Sequence, residues 1–206
     1  MGTQRKTTLD AMKVPFIEAP IDAWSYYKNP LGKAVHDCED YEMLDVYDIL
    51  EKIGSGVWKE RSEEIKQDHW LKPAIDIFYP TGITRIHMIG KSQKYTGMVW
   101  FDVDDLDDPA KEKEKLKHIP WILSAFITTS GKGLKILVPT NCSNRILTPQ
   151  DAGEYVKIEA AVYEELHSLT GLVRDKRCST VHISVSVSYD PDIYINYKPL
   201  TFVNNI

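Results

Sequence analysis

Apolar residues recur along the chain with two periods, and each period predicts an element. Met43, Val46, Leu50 and Ile53 are spaced three, four and three apart, which predicts a helix from residue 40 with one buried face and a C-terminal cap at Gly54. The Gly54-Ser55-Gly56 break separates it from a charged helix predicted over 57–67. Two strand-like runs, 74–79 and 84–89, flank Pro80-Thr81-Gly82 and read as a hairpin. Met98–Val103 reads as a buried strand closed by an acidic run and Pro109. After a charged segment, 111–117, the runs 121–128 and 134–138 bracket a glycine-rich turn and read as a second hairpin. Thr148-Pro149-Gln150-Asp151 is a helix start, with a hydroxyl cap, proline at the first helical position and an acid in the capping-box position. The stripe Tyr155, Ile158, Val162, Leu166 and Leu169 carries that helix to Gly171. Val181, Ile183, Val185 and Val187 then alternate with His182, Ser184, Ser186 and Ser188, the pattern of a half-buried strand.

Helices and strands mixed in this way predict one α+β domain over 40–200. It is preceded by an irregular arm, 1–40, anchored by Trp24, Tyr26 and Tyr27, and followed by a short tail, 200–206. The composition of the 206 residues, 43% hydrophobic and 27% charged, excludes a disordered chain and a coiled coil. A formal charge of −5 means that any contact with polyphosphate must come from a local basic patch or a bound cation. No apolar run approaches a bilayer span, so no membrane partner is expected. Residues 1–20 lack an apolar stretch behind Arg5 and Lys6, and the three cysteines, Cys38, Cys142 and Cys178, are odd in number and widely spaced; both features read as cytoplasmic.

Three places could carry chemistry. Asp102 and Asp104 end the Met98–Val103 strand, and the strand period puts both carboxylates on one face about 7 Å apart, able to bracket hard divalent cations. Without a cation the same acids make a solvated strand exit. Ser130-Gly131-Lys132-Gly133-Leu134-Lys135 combines a hydroxyl, glycines that admit close backbone approach, and two lysines, the ingredients of a phosphate cradle or of a soluble hairpin turn. It is not a P-loop, because Gly131-Lys132 is followed by glycine and a strand. Asp175 stands among bases just after the long helix, and Cys178 and His182 lack the second ligand pair that a zinc finger requires.

The ordered segments are Leu71-Lys72-Pro73-Ala74-Ile75 with Tyr79-Pro80-Thr81-Gly82, Thr96-Gly97-Met98-Val99-Trp100-Phe101-Asp102-Val103-Asp104, the Ser130 to Lys135 loop running into Ile136-Leu137-Val138, and Asp175 with Cys178 ahead of Ser188-Tyr189-Asp190-Pro191-Asp192-Ile193-Tyr194. Together they resemble the N-terminal primase-like domain of virulence-associated protein E (the VirE N-terminal domain), a branch of the archaeo-eukaryotic primase, or primase-polymerase, superfamily. The resemblance implies an RRM-like antiparallel sheet core of the primase-polymerase type with flanking helices. It implies a metal-dependent primase/polymerase-like nucleotidyltransferase of mobile-element or phage DNA replication, with Asp102, Asp104 and Asp175 as catalytic ligands of Mg²⁺ or Mn²⁺. Ser130, Gly131, Lys132, Gly133 and Lys135 would contact the phosphates of a nucleoside triphosphate. The other implied partners are a single-stranded DNA template and a superfamily helicase acting in trans. One feature departs from the pattern: the strand after Asp175 lacks the family's arginine, leaving His182 or Lys176 as substitutes for nucleotide binding. That departure keeps open an alternative, a catalytically inactive primase-like module that binds single-stranded nucleic acid or a replication partner such as a helicase.

Overall fold

Every side chain of Met98–Val103 is buried, so this strand is covered on both faces and its alternation sorts the interior into two clusters. Val99, Phe101 and Val103 pack with Tyr155, Ile158, Val162 and Leu166 of the helix Ala152–Thr170. Met98 and Trp100 point the other way, into Ile49, Leu50 and Ile53 of the helix Val46–Ser55. Each of these large side chains contributes roughly 1.5–3 kcal/mol on burial, so the strand holds the two clusters together.

The computed structural model describes residues 12–18, 42–68, 71–72, 75–82, 93–141, 146–147, 152–178, 181 and 183–203. In chain order the elements are β1 (Lys13–Ile17), β2 (Glu42–Asp45), α1 (Val46–Ser55), α2 (Lys59–Gln67), β3 (Ile77–Phe78), β4 (Gln93–Lys94), β5 (Met98–Val103), α3 (Pro109–Leu116), β6 (Ser124–Ile127), β7 (Leu134–Pro139), β8 (Ile146–Leu147), α4 (Ala152–Thr170), a 3₁₀ turn (Lys176–Cys178), β9 (Val185–Ser186) and β10 (Tyr194–Ile195). The fold is α+β. One four-stranded antiparallel sheet runs β2-β1-β3-β9 and a second runs β10-β6-β7-β5, while β4 and β8 pair separately. In the second sheet the β6–β7 hairpin lies beside β5, and β10 closes the edge at β6. Residue Asp102 stands opposite Lys135, and Phe126 flanks Lys135 on its other side. A buried pair fastens α3 beneath this sheet: Lys113 Nζ donates to Asp190 Oδ2 at 2.5 Å, and the same oxygen accepts the Ile127 N–H at 2.8 Å. Among the described residues no helix is long and apolar enough to cross a membrane.

Several elements differ from the sequence pattern for identifiable reasons. The helix expected from residue 40 begins at Val46, because the Asp45 carboxylate caps the Tyr47 N–H and Met43 lies in β2, 43% exposed. Its C-terminal cap is Gly56, whose φ of 94° only glycine adopts at low cost, not Gly54. The charged segment near 111–117 belongs to helix α3, opened by the Asp108 carboxylate on the Lys111 N–H with Pro109 in the first turn. Part of the arm, Lys13–Ile17, is a strand paired on both sides, to β2 and to β3. Of the expected hairpin over 74–89, Ile77–Phe78 pairs instead with β1 and β9, and residues 83–92 lie outside the described residues. Leu169, assigned to the apolar stripe of α4, is 56% exposed. The helix start at 148–151 and the anchors Trp24, Tyr26 and Tyr27 also fall outside the described residues.

Candidate functional site

The end of β5 is where the chemistry-bearing residues meet. Asp102 is the last inward residue on the Met98 and Trp100 face, and the antiparallel register brings Lys135 of β7 opposite it. Lys135 Nζ donates to Asp102 Oδ2 at 2.9 Å and lies 5.2 Å from the centre of the Trp100 ring, with only 5% of the lysine side chain exposed. The other carboxylate oxygen, Asp102 Oδ1, is buried without a hydrogen-bond partner among the described residues. Such an atom costs free energy unless something satisfies it.

Beyond Val103 the chain turns sharply. Asp105 takes a left-handed conformation, φ 55°, and the Leu106 N–H then donates to the Lys132 carbonyl at 2.8 Å, tying the acidic run to the Ser130 to Lys135 loop. Asp104 is thereby held against that loop. A Cβ built on Gly133 would stand 3.3 Å from Asp104 Oδ1 and 2.5 Å from the Val103 carbonyl oxygen, so only glycine allows the loop to approach this closely. Burial raises the Asp104 carboxyl above the usual carboxylate range, the Asp102 charge adds to that, and Lys135 and Lys72 oppose it. In the loop, Ser130 Oγ lies 3.0 Å from Thr128 Oγ1 and accepts the Lys132 N–H at 3.3 Å, while Gly131 has a φ of 74°.

Asp175 arrives from a distant part of the chain. Arg174 pairs with the buried Glu159 of α4 and lies over the Tyr163 ring, which fixes the segment behind α4. The Asp175 N–H then donates to the Asp102 carbonyl at 2.7 Å. Its carboxylate faces Arg177: Nε is 2.9 and 3.1 Å from the two oxygens, and the Arg177 N–H donates to Oδ1 at 2.9 Å. Those hydrogen bonds hold the Asp175 carboxyl below its usual range. Cys178 Sγ sits 3.9 Å from Asp102 Oδ2, and burial, with the Asp102 charge next, pushes its thiol up to about 11.

The structure therefore brings Asp102, Asp104, Asp175, Lys135 and the Ser130 to Gly133 turn to one end of the sheet; His182 lies outside the described residues. Lys176, its alternative, is exposed on the 3₁₀ turn. Two residues escape sequence reasoning. Arg177 engages Asp175 through a turn geometry that two-residue spacing alone does not announce, and the charge of Lys72, far along the chain, acts on the Asp104 carboxyl. Beside Asp104 opens a cleft of about 370 Å³ whose lining includes Leu106, Leu172 and Val173 together with Glu112 and Lys115.

Asp102 and Asp104 offer hard oxygen donors, one atom of which is buried and unpartnered, and in that respect the residues fit Mg²⁺ or Mn²⁺. As placed, no group of three His, Cys, Asp or Glu among the described residues could hold a metal ion, and two of the carboxylates are engaged by cations of the chain, Asp102 Oδ2 by Lys135 and Asp175 by Arg177.

Residues 71–195 match the family described as BT4734-like, N-terminal domain. This is a different family from the N-terminal primase-like domain of virulence-associated protein E, and it corrects the assignment that the sequence motifs carry. Those motifs are a strand exit, a glycine turn and a loop aspartate, local chemistry that separate families share, which is why they misassign the family. No curated protein and no solved structure is found to be similar.

Proposed function

The chain belongs to the BT4734-like N-terminal domain family, and for this member we propose a metal-dependent nucleotidyltransferase of the primer-synthesising or polymerase kind, acting in mobile-element or phage DNA replication. One observation carries the reading: a buried carboxylate with an unpartnered oxygen, Asp102, at a strand end where Asp104 and the Ser130 to Lys135 loop converge. Carboxylates beside a glycine loop with a lysine are the parts that phosphoryl and nucleotidyl transfer use. Asp102 and Asp104 would hold Mg²⁺ or Mn²⁺, with Asp175 joining them when it leaves Arg177. The bound cation supplies Lewis-acid activation of the attacking hydroxyl and charge neutralisation at the leaving pyrophosphate. Lys135 neutralises phosphate charge from the floor of the site, and the Gly131 and Gly133 backbone lets the triphosphate approach. The cleft beside Asp104 lies within the size range of small-molecule pockets, about 300–1,000 Å³, and is the place for the nucleoside. Nucleoside triphosphates, a single-stranded DNA template and a helicase in trans are the partners, and the cytoplasm is the compartment.

The test is incorporation of a labelled nucleoside triphosphate on single-stranded DNA with Mn²⁺, alone and with candidate helicases. Wild-type protein is expected to extend or initiate a strand, and Asp104→Ala to lose product while unfolding at the wild-type temperature. Full product from Asp104→Ala overturns the assignment. The cation pairing of Asp102 and Asp175 favours a second reading, a silent module that binds single strands. That reading predicts no product and binding that weakens with salt but ignores Mn²⁺.

A further inference from the structure

The helix α3 presents a fixed inner face to the fold and a polar pair to the cleft beside Asp104. Leu116 is buried on its inner face, and Lys113 donates there to the buried Asp190 at 2.5 Å. Glu112 and Lys115, three residues apart, line the cleft, with Lys115 Nζ 2.7 and 2.6 Å from the two Glu112 oxygens. This pair differs from others at the same spacing among the described residues. Glu112 is 20% exposed, against 50–62% for Glu63, Glu64 and Glu114, so its carboxylate is sunk into the cleft. Lys115 is 46% exposed on a flexible stem and can swing to one side of that carboxylate. Val103, Leu106, Leu172 and Val173 supply apolar wall, suited to the faces of a flat ring. Asp104, which also lines the cleft, is held against the Ser130 to Lys135 loop, so a nucleotide with its phosphates at the loop carries its base toward α3.

We propose that Glu112 and Lys115 select guanine as the base this cleft takes. The inference rests on the nucleotide reading above, names the base that reading leaves open, and needs no metal ion. An ammonium beside a carboxylate presents one donor and then two acceptors. The Watson–Crick edge of guanine presents the complement: the O6 acceptor, the N1–H donor and the N2 amino donor. Its last two groups form a fork on the carboxylate, as a guanidinium does. Adenine and cytosine instead turn an amino group toward the ammonium and a ring-nitrogen acceptor toward the carboxylate. Uracil and thymine match at O4 and N3–H but set the O2 acceptor against the second carboxylate oxygen. Hypoxanthine keeps O6 and N1–H and lacks only the amino group.

The test is titration of GTP, ITP, ATP, CTP and UTP into the full chain, in chelator and again with Mn²⁺. In whichever buffer binding is measured, the wild type is expected to hold GTP about tenfold or more tightly than ATP, CTP or UTP, the scale of a bidentate base contact, with ITP between. Glu112→Gln, which keeps size but puts a donor where the fork needs an acceptor, is expected to bring GTP down to the level of ATP. Lys115→Met is expected to weaken GTP and to narrow its margin over ATP and CTP, by removing the ammonium that their amino groups meet. A partly exposed pair at this spacing contributes little to folding, so both variants should unfold at the wild-type temperature. Equal affinities for the five triphosphates, or a GTP preference that survives Glu112→Gln, overturns the base selection and leaves the nucleotide reading standing. No triphosphate bound in either buffer overturns both.

Discussion

Removing the charge of Asp102 perturbs more than a ligand, because it strands Lys135. The lysine side chain is 5% exposed, and among the described residues its one carboxylate partner, at 2.9 Å, is Asp102. A fully sealed pair broken at one partner costs about 3–5 kcal/mol. Asp102 keeps 11% of its side chain exposed, so some of the lost interaction is recovered from solvent, and Asp102→Asn should destabilise the fold by about 2–4 kcal/mol. Lys135→Met keeps the stem packed on Trp100 but leaves Asp102 Oδ1 unpartnered and Oδ2 with only the weak Cys178 thiol at 3.9 Å, and should cost a similar amount. The double variant removes both charges and should lie near the wild type, since replacing a buried pair by groups of similar shape is often neutral. The cycle therefore predicts a coupling of about 4 kcal/mol or more, read as the shift in urea midpoint at constant m-value. Additive losses, with a coupling below about 0.5 kcal/mol, would refute the reasoning and show that Asp102 and Lys135 do not depend on one another.

Gly133→Ala forces a Cβ to 2.5 Å from the Val103 carbonyl oxygen, and should cost about 1–3 kcal/mol in thermal or urea unfolding, as overpacking does; an unchanged midpoint contradicts it. The Asp104 carboxyl is raised in the fold, so its ionised form opposes folding: its contribution is fully present below the ordinary value of 3.8 and is lost as pH rises through the raised value. Asp104→Asn should therefore be slightly more stable than the wild type at neutral pH, with the gain vanishing below the ordinary value; a neutral-pH loss contradicts this. Cys178, with its thiol near 11 instead of 9.0, should react with iodoacetamide at pH 8 about a hundredfold more slowly than an unperturbed thiol, by thiolate fraction alone, as followed by peptide mass spectrometry. Labelling at the unperturbed rate contradicts the burial of that thiol beside Asp102.

How much of this was legible in the chain depends on how local each cause is. β5 and the β6–β7 hairpin follow from runs of apolar residues whose neighbours lie close in sequence, and the α4 stripe follows from an intact helical period at Tyr155, Ile158, Val162 and Leu166. The helix expected from residue 40 starts later, at Val46, because Met43 fits the helical spacing of α1 while belonging to a strand. The helix α3 was hidden because it buries only Lys113 and Leu116, so charge masks its period; Asp108-Pro109 was the signal available. Pairing of β1 with β3 and of β10 with β6 joins residues far apart in the chain, which periodicity does not record. At the site, the acidic pair and the glycine loop were visible as residue types. Their convergence rests on the Asp102 to Lys135 register and on the Asp175 N–H reaching the Asp102 carbonyl, both set by tertiary structure.

The central claim is that the end of β5 holds a divalent cation with a nucleotide's phosphates. Calorimetric titration of Mn²⁺ into the full chain, with and without a nucleoside triphosphate, tests it most directly when set beside Asp104→Asn, the variant whose stability is predicted to hold. Mn²⁺ binding that the triphosphate strengthens and that Asp104→Asn abolishes is the predicted result. Absence of binding in the wild type, or equal binding in Asp104→Asn, contradicts the claim and reduces the acidic pair to a strand exit.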